Sequence, residues 1–440
     1  MKALLLSLVI ACVAVSGAGC SFFHSTPPTT TTVAFDYHKP DGDDIDFLSH
    51  FDIIVTGKLL DAGTVSKLKS RKAKVLYYDW LPAVYYCKSH NDWEEMIYQN
   101  RFYWTLDPEE SAPNPLGERY GCIDFFYDMA NDEFAALRAD HIIHTVQSNN
   151  YDGVFFDWGS GWNAFEENRF DFLMKEFSKR HPDINYNDKI NEFIRNLKKK
   201  GLLVMLNGGF RSDQAKLDEY ADYDVVESMF TSVECNNSYY EIFVASEGVR
   251  KVCDTWFNDV QRSVDLATQL PAKARKANPA IRFLFLNYAF PHYKPTGESV
   301  RTGGKEHRIF EKSVDRQAIF YALACSYIGD ASGFTNGNDV SLDYVKDDVY
   351  LHPPGTPVSG LHQIDKGVYV KYFSRGIVAV SDSDATVRIS LPQGKSRVFD
   401  LYEKKYLESR NNELVLSLTS QVYPSGLKHS IGRIYLYDGH

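Results

Sequence analysis

Short apolar runs that close on a polar or acidic residue recur eight times along this chain, and no other feature limits its possible folds so strongly. They occupy residues 33–37, 51–56, 74–79, 153–157, 202–207, 225–227, 283–288 and 332–336. Near-continuous apolar strands indicate a parallel sheet buried on both faces. Between several of them lie stripes of 3.6-residue period. Ala139, Ile142, Ile143 and Val146 form one, Ile190, Phe193, Ile194 and Leu197 another, and Ile319, Ala322 and Leu323 a third. Lys198-Lys199-Lys200-Gly201 puts cations in a last turn and glycine at its stop. Eight strands alternating with helices predict an α/β fold, a (β/α)8 TIM-type barrel over residues 33–358. From Gly367 the period changes to two, with Val368, Val370, Val378, Val380, Leu414 and Leu416 in short alternating segments. This predicts a small C-terminal antiparallel β-sandwich, residues 359–440, as an accessory domain.

The first 20 residues stand apart. Lys2 precedes an apolar stretch of 15 residues, 3–17, shorter than the roughly 20 needed to span a bilayer. It runs into Gly17-Ala18-Gly19-Cys20, which resembles a bacterial lipoprotein signal with Gly17 where leucine is usual. That resemblance implies lipidation of Cys20 and anchoring to a membrane of the cell envelope, at the outer membrane or cell surface; plain secretion is the alternative. Residues 21–32, with Pro27-Pro28 and the threonine run from Thr29 to Thr32, read as a tether. Export makes disulfides expected, and the local pairings are Cys87 with Cys122 and Cys235 with Cys253, with Cys325 a buried free thiol. No C-x-x-C pair occurs. His141 and His144, three apart on a helix, lack a third ligand and read as a solvated face, so neither metal nor other cofactor is expected. With 48 basic against 58 acidic side chains the net charge is −10, which offers no electrostatic footprint for a nucleic acid.

In such a barrel the reacting groups stand where strands end, because the βα loops there form one mouth. Asp157 closes Tyr151-Asp152-Gly153-Val154-Phe155-Phe156-Asp157, and Glu227 closes Asp224-Val225-Val226-Glu227. Two carboxylates facing one mouth can divide glycosidic hydrolysis, one attacking or orienting water and the other protonating the leaving oxygen. Asp36, Asp79, Trp80, Asn207 and Tyr288 stand at other strand ends, Trp158 follows Asp157, and Asp128 ends Phe125-Phe126-Tyr127-Asp128. These seven are the candidate substrate contacts, with helix capping the competing role for Asp128. Residues 81–132 form a long connection rich in aromatics, among them Tyr86, Trp93, Tyr98 and Phe102. They form either one wall of a substrate cleft or a small core of their own.

Tyr-Asp-Gly-Val-Phe-Phe-Asp, then Asn207-Gly208-Gly209, then Val226-Glu227-Ser228-Met229-Phe230, resembles in order and spacing the endo-α-1,4-polygalactosaminidase family and related glycosyl-hydrolase-like barrels of bacteria. The resemblance covers residues 33–338. It implies a catalytic pair at Asp157 and Glu227 and a polysaccharide substrate, with amino-sugar polymers one possibility. Two features depart from it: Trp158-Gly159-Ser160-Gly161-Trp162 where a second Asp is common, and Tyr77-Tyr78-Asp79-Trp80 in place of a Gly-Glu ending. The expectation is therefore an exported, lipid-anchored glycoside hydrolase. The alternative is a non-catalytic polysaccharide-binding lipoprotein on the same scaffold.

Overall fold

The computed structural model describes residues 31–86, 89–104, 123–157, 177–207, 220–235, 239–337 and 342–438. Cys20, the tether up to residue 30, Cys87, Cys122 and Trp158 lie outside the described residues.

The eight apolar runs form one parallel sheet in sequence order. Its strands are β1 (Val33–Asp36), β2 (Ile53–Thr56), β3 (Lys74–Trp80), β4 (Gly153–Asp157), β5 (Leu203–Asn207), β6 (Tyr223–Glu227), β7 (Arg282–Ala289) and β8 (Ser332–Gly337). Seven parallel ladders join neighbours from β1 to β8. At the remaining seam the Ser332 hydroxyl donates to the Thr31 carbonyl and Arg282 to Thr31 Oγ1 at 3.1 Å, which brings β8 beside β1. Phe35, Phe155 and Phe334 meet in the lumen, with ring centroids 5.6 and 6.4 Å from Phe35. The interior is a packed core, as eight-stranded barrels require.

Helices α1 (Gly42–Leu48), α2 (Ala62–Leu68), α3 (Asp132–Ser148), α4 (Tyr186–Lys199), α5 (Val260–Ala277) and α6 (Arg316–Ile328) each start at a side-chain cap: Asp41, Asp61, Asn131, Asn185, Asp259 and Asp315 in turn. Each cap satisfies an orphan amide of the first turn. The expected stripe of α4 is buried, and Gly201 takes the left-handed backbone (φ +83°) that stops the chain beyond it.

Every residue of α6 from Gln317 to Ile328 is buried, because a second layer covers its outer side. That layer is a six-stranded antiparallel sheet that begins at Pro357 and ends with Ile431–Tyr437, and a two-stranded sheet, Ala385–Ser390 with Glu413–Leu418, packs on its far face. Alternation divides the work. Tyr369, Phe373, Val378, Val380, Ile434 and Leu436 join the barrel core, while Val368, Val370, Ile377, Ala379, Tyr435 and Tyr437 join the sandwich core. Gly432 allows the close approach, since a Cβ there would stand 2.4 Å from the Phe320 carbonyl oxygen.

The connection after β3 carries a small antiparallel sheet (Ala83–Tyr86, Ile123–Tyr127, Tyr103–Trp104) and a helix, Asp92–Asn100. Its described aromatics pack among themselves and on α3. Tyr86 stacks on Tyr98 at 4.8 Å, Phe102 on Phe134 at 5.3 Å and Trp93 on His141 at 4.0 Å. They form a local core, and His141 belongs to it: burial lowers its pKa, which corrects the solvated-face expectation for His141, while His144 is exposed as expected. Arg138 of α3 fastens this insertion to the barrel. It is 1 % exposed, donates to the carbonyls of Leu81 and Trp80 (2.6 Å for the latter) and lies 4.0 Å over the Tyr127 ring. Removing it leaves two buried carbonyls without a donor. Arg138→Met is therefore expected to lower unfolding free energy by about 3 kcal/mol, measured by urea titration.

The connections after β6 and β7 supply a four-stranded sheet (Tyr240–Val244, Gly248–Val252, His292–Thr302, Lys305–Ser313), which the sequence pattern did not reveal. Its long hairpin is mostly exposed on both faces, so no apolar period marks it. The expected Cys235–Cys253 disulfide forms at its base, with a Cα separation of 5.8 Å, and Cys325 is a buried free thiol. Where this sheet meets the C-terminal layer, burial pushes His292 down to about 4 and Asp315 up to about 6. His292 contributes stability above its ordinary value of 6.5, lost as pH falls toward 4; Asp315 contributes stability below 3.8, lost as pH rises through 6. The two slopes oppose each other. Relative to the unmodified protein, His292→Gln should gain about 2 kcal/mol on going from pH 7 to pH 4, read from denaturation at both values.

Candidate active site

Paired residues on neighbouring parallel strands point to the same side, so register traces which strand-end residues face the lumen. Phe35 and Phe155 face it, hence Tyr37 and Asp157 do too. Trp80 pairs with Asp157, and Phe155 with Met205 two residues below Asn207. Asn207 pairs with Val225 two residues below Glu227, Glu227 with Leu286, and Tyr288 with Asn336. The mouth therefore receives Tyr37, Tyr78, Trp80, Asp157, Asn207, Glu227, Tyr288 and Asn336.

Most of these side chains form one hydrogen-bonded group. Asn207 Nδ2 donates to Asp157 Oδ1 at 2.7 Å and to Glu227 Oε1 at 2.9 Å. The Tyr78 phenol donates to Asp157 Oδ2 at 2.6 Å and accepts from the Trp80 indole N–H. The Tyr288 phenol is hydrogen-bonded to Glu227. Tyr37 packs edge-on against Tyr78 with centroids 5.4 Å apart. It crosses Gly57, where a Cβ would come within 2.6 Å of the Tyr37 Cα. Burial, followed by the negative charge of the two carboxylates, pushes the phenols of Tyr37, Tyr78 and Tyr288 well above their ordinary value. They stay neutral, and Tyr78 and Tyr288 serve as donors to the carboxylates.

Because the two N–H bonds of one planar amide diverge, Asp157 Oδ1 and Glu227 Oε1 lie about 5 Å apart. The structure thus brings together Asp157, Glu227, Asn207, Tyr288 and Trp80 from the sequence-based set. Asp36, Asp79 and Asp128 fall elsewhere. Asp36 lies one residue out of phase, on the helix side, where it accepts from the His38 amide at 2.9 Å and burial raises it to about 6. Asp79 likewise points outward, 3.4 Å from Arg138. Asp128 follows a strand of the antiparallel insertion rather than a barrel strand; its carboxylate stands 3.1 Å from His181, and Asn131 caps the helix instead. Tyr37, Tyr78 and Asn336 were missed. Counting back two residues from Trp80 would have found Tyr78. Among the described residues no group of three or more histidine, cysteine or carboxylate side chains could hold a metal ion.

No protein-family model matches this chain, and no curated protein matches it. Among solved structures it is similar to the glycoside hydrolase domain of PelA from Pseudomonas aeruginosa at 15% identity, over 75% of this chain and 98% of that one, with a TM-score of 0.41. An alpha-amylase from Anoxybacillus is 11% identical over 92% of this chain and 97% of its own, with a TM-score of 0.45. A cycloisomaltooligosaccharide glucanotransferase from Paenibacillus sp. is 8% identical over 94% and 86%, with a TM-score of 0.48. Strand order and register, not these likenesses, define the fold.

Proposed function

We propose that this chain is a retaining glycoside hydrolase acting on a polysaccharide, with Asp157 as nucleophile and Glu227 as general acid/base. The observation that carries the reading is the single Asn207 amide shared by both carboxylates. A separation of about 5–5.5 Å suits direct attack on the anomeric carbon, whereas a water between the groups needs about 6.5–9.5 Å. Two carboxylates so close do not ionise independently. Asp157 accepts from Tyr78 and Asn207, and Glu227 is bonded to Asn207 and Tyr288. On this reading Glu227 holds the proton. It passes that proton to the glycosidic oxygen as Asp157 bonds to the anomeric carbon and the glycosidic bond breaks. Glu227, now ionised, takes a proton from the water that releases the sugar.

A reducing-end assay on galactosaminogalactan, deacetylated hexosamine polymers and neutral glycans tests the reaction and narrows the sugar. Proton NMR of the first-formed product tests the stereochemistry: retained anomeric configuration is expected, and inversion would refute the nucleophile and acid/base roles of Asp157 and Glu227. Binding without cleavage across that panel would instead make the chain a polysaccharide-binding protein.

The same reading places the protein at the cell envelope through Cys20. Cells grown with labelled fatty acid should label it, and Cys20→Ala should abolish the label and release the protein. An unlabelled protein would mean plain secretion.

A further inference from the structure

We infer that Asn336 recognises the sugar ring held against the two carboxylates, at the deep end of the barrel mouth. The inference rests on the hydrolase reading for the position of that ring and on independent observations for the residue. Asn336 stands one residue from the end of β8, pairs with Tyr288 and so points into the lumen. It is 0 % exposed, yet neither its Nδ2 nor its Oδ1 has a hydrogen-bond partner among the described residues. A buried amide with both ends unsatisfied costs the fold stability, because water solvated those atoms in the unfolded chain. Native interiors rarely keep such a group, and a leucine, with the same branching and number of heavy atoms, would sit there at no polar cost.

Other amides in this barrel show the contrast. Asn287, also fully buried, leaves its Nδ2 without a hydrogen-bond partner among the described residues, yet its Oδ1 accepts from the Phe230 and Thr231 amides and so holds the turn after β6. Asn207 joins the two carboxylates. Among the described residues Asn336 makes no such bond. Its neighbour Tyr288 is bonded to Glu227, so Asn336 stands one strand beyond the residue that holds the acid. One planar amide offers a donor and an acceptor side by side, and adjacent hydroxyls of a pyranose offer the complementary pair. Asn336 is therefore a specificity-determining residue, not a structural one.

The test compares Asn336→Leu and Asn336→Ala with the unmodified protein. Melting temperature is measured, together with kcat and KM on galactosaminogalactan, chitosan oligosaccharides and cello-oligosaccharides. Calorimetric affinity for the same sugars is measured in an Asp157→Asn background, well below the melting transition. Asn336→Leu should melt at the same temperature or about 2 °C higher, since an unsatisfied amide has been removed. Sugar affinity and kcat/KM should both fall by about 10-fold to 100-fold. A loss of affinity of about fivefold or more in both variants supports the inference, and a smaller loss overturns it, whatever the melting temperature does. Sugar binding that depends on Asn336 in a protein that cleaves none of the panel would leave the recognition standing and sink the hydrolase. Failure of the unmodified protein to bind any of the three sugars overturns the inference.

Discussion

Asp157→Asn and Glu227→Gln are each expected to lower kcat on a cleavable polysaccharide by about 10³-fold or more, with the melting temperature within a few degrees of the unmodified protein. Both substitutions keep the side chain's volume and its place beside the Asn207 amide. On the proposed mechanism, what each removes is chemical: the attacking oxygen at Asp157, the transferable proton at Glu227. Truncation separates the two roles. With Asp157→Ala, added azide should attack the anomeric carbon from the vacated face and yield a glycosyl azide of inverted configuration. With Glu227→Ala and an activated leaving group, Asp157 still attacks, azide replaces the sugar ester, and the azide product keeps the substrate's configuration. The opposite pattern would exchange the two assignments. Full activity in either conservative variant would remove the pair from the reaction altogether.

The second large effect is expected at Asn207. Its amide donates to both carboxylates, at 2.7 and 2.9 Å, and a donor aimed at a carboxylate favours the ionised form. Asn207→Ala deletes both bonds that join the two carboxylates. The loss should lower kcat/KM by about 100-fold. It should also shift the bell-shaped pH profile, because both groups lose a donor that favours the ionised form. A merely structural asparagine would lower stability without shifting the profile. An unchanged pH dependence in Asn207→Ala would show that the bridge plays no part in tuning the pair.

Much of the site was legible because strand ends in a barrel form one mouth. Asp157, Asn207 and Glu227 close strands whose apolar runs are hard to miss, and the structure joins all three. The errors came at particular strand ends. On β1 the charged Asp36 drew attention, while the lumen receives Tyr37. On β3 Asp79 did the same, while Tyr78 and Trp80 carry the contact to Asp157. Asp128 ends an apolar-aromatic run like the others, yet that run belongs to an antiparallel insertion. In each case the charge marks the end of a run but not the lumen, and the carboxylate serves the helix side of the barrel or the insertion.

The amino-acid sequence by itself determined the number and order of the barrel strands, the helices between them and the alternating layer at the C-terminus. Burial on both faces demands continuous apolar runs, and burial on one face demands period two, so each layer writes its own pattern. Which residues of a barrel strand face the lumen was decided only in the tertiary structure. With both faces buried, the chain carries no polar alternation to mark the phase. One residue of slip exchanges Asp36 for Tyr37 and Asp79 for Tyr78, and only the pairing of each strand with its neighbours removes that freedom.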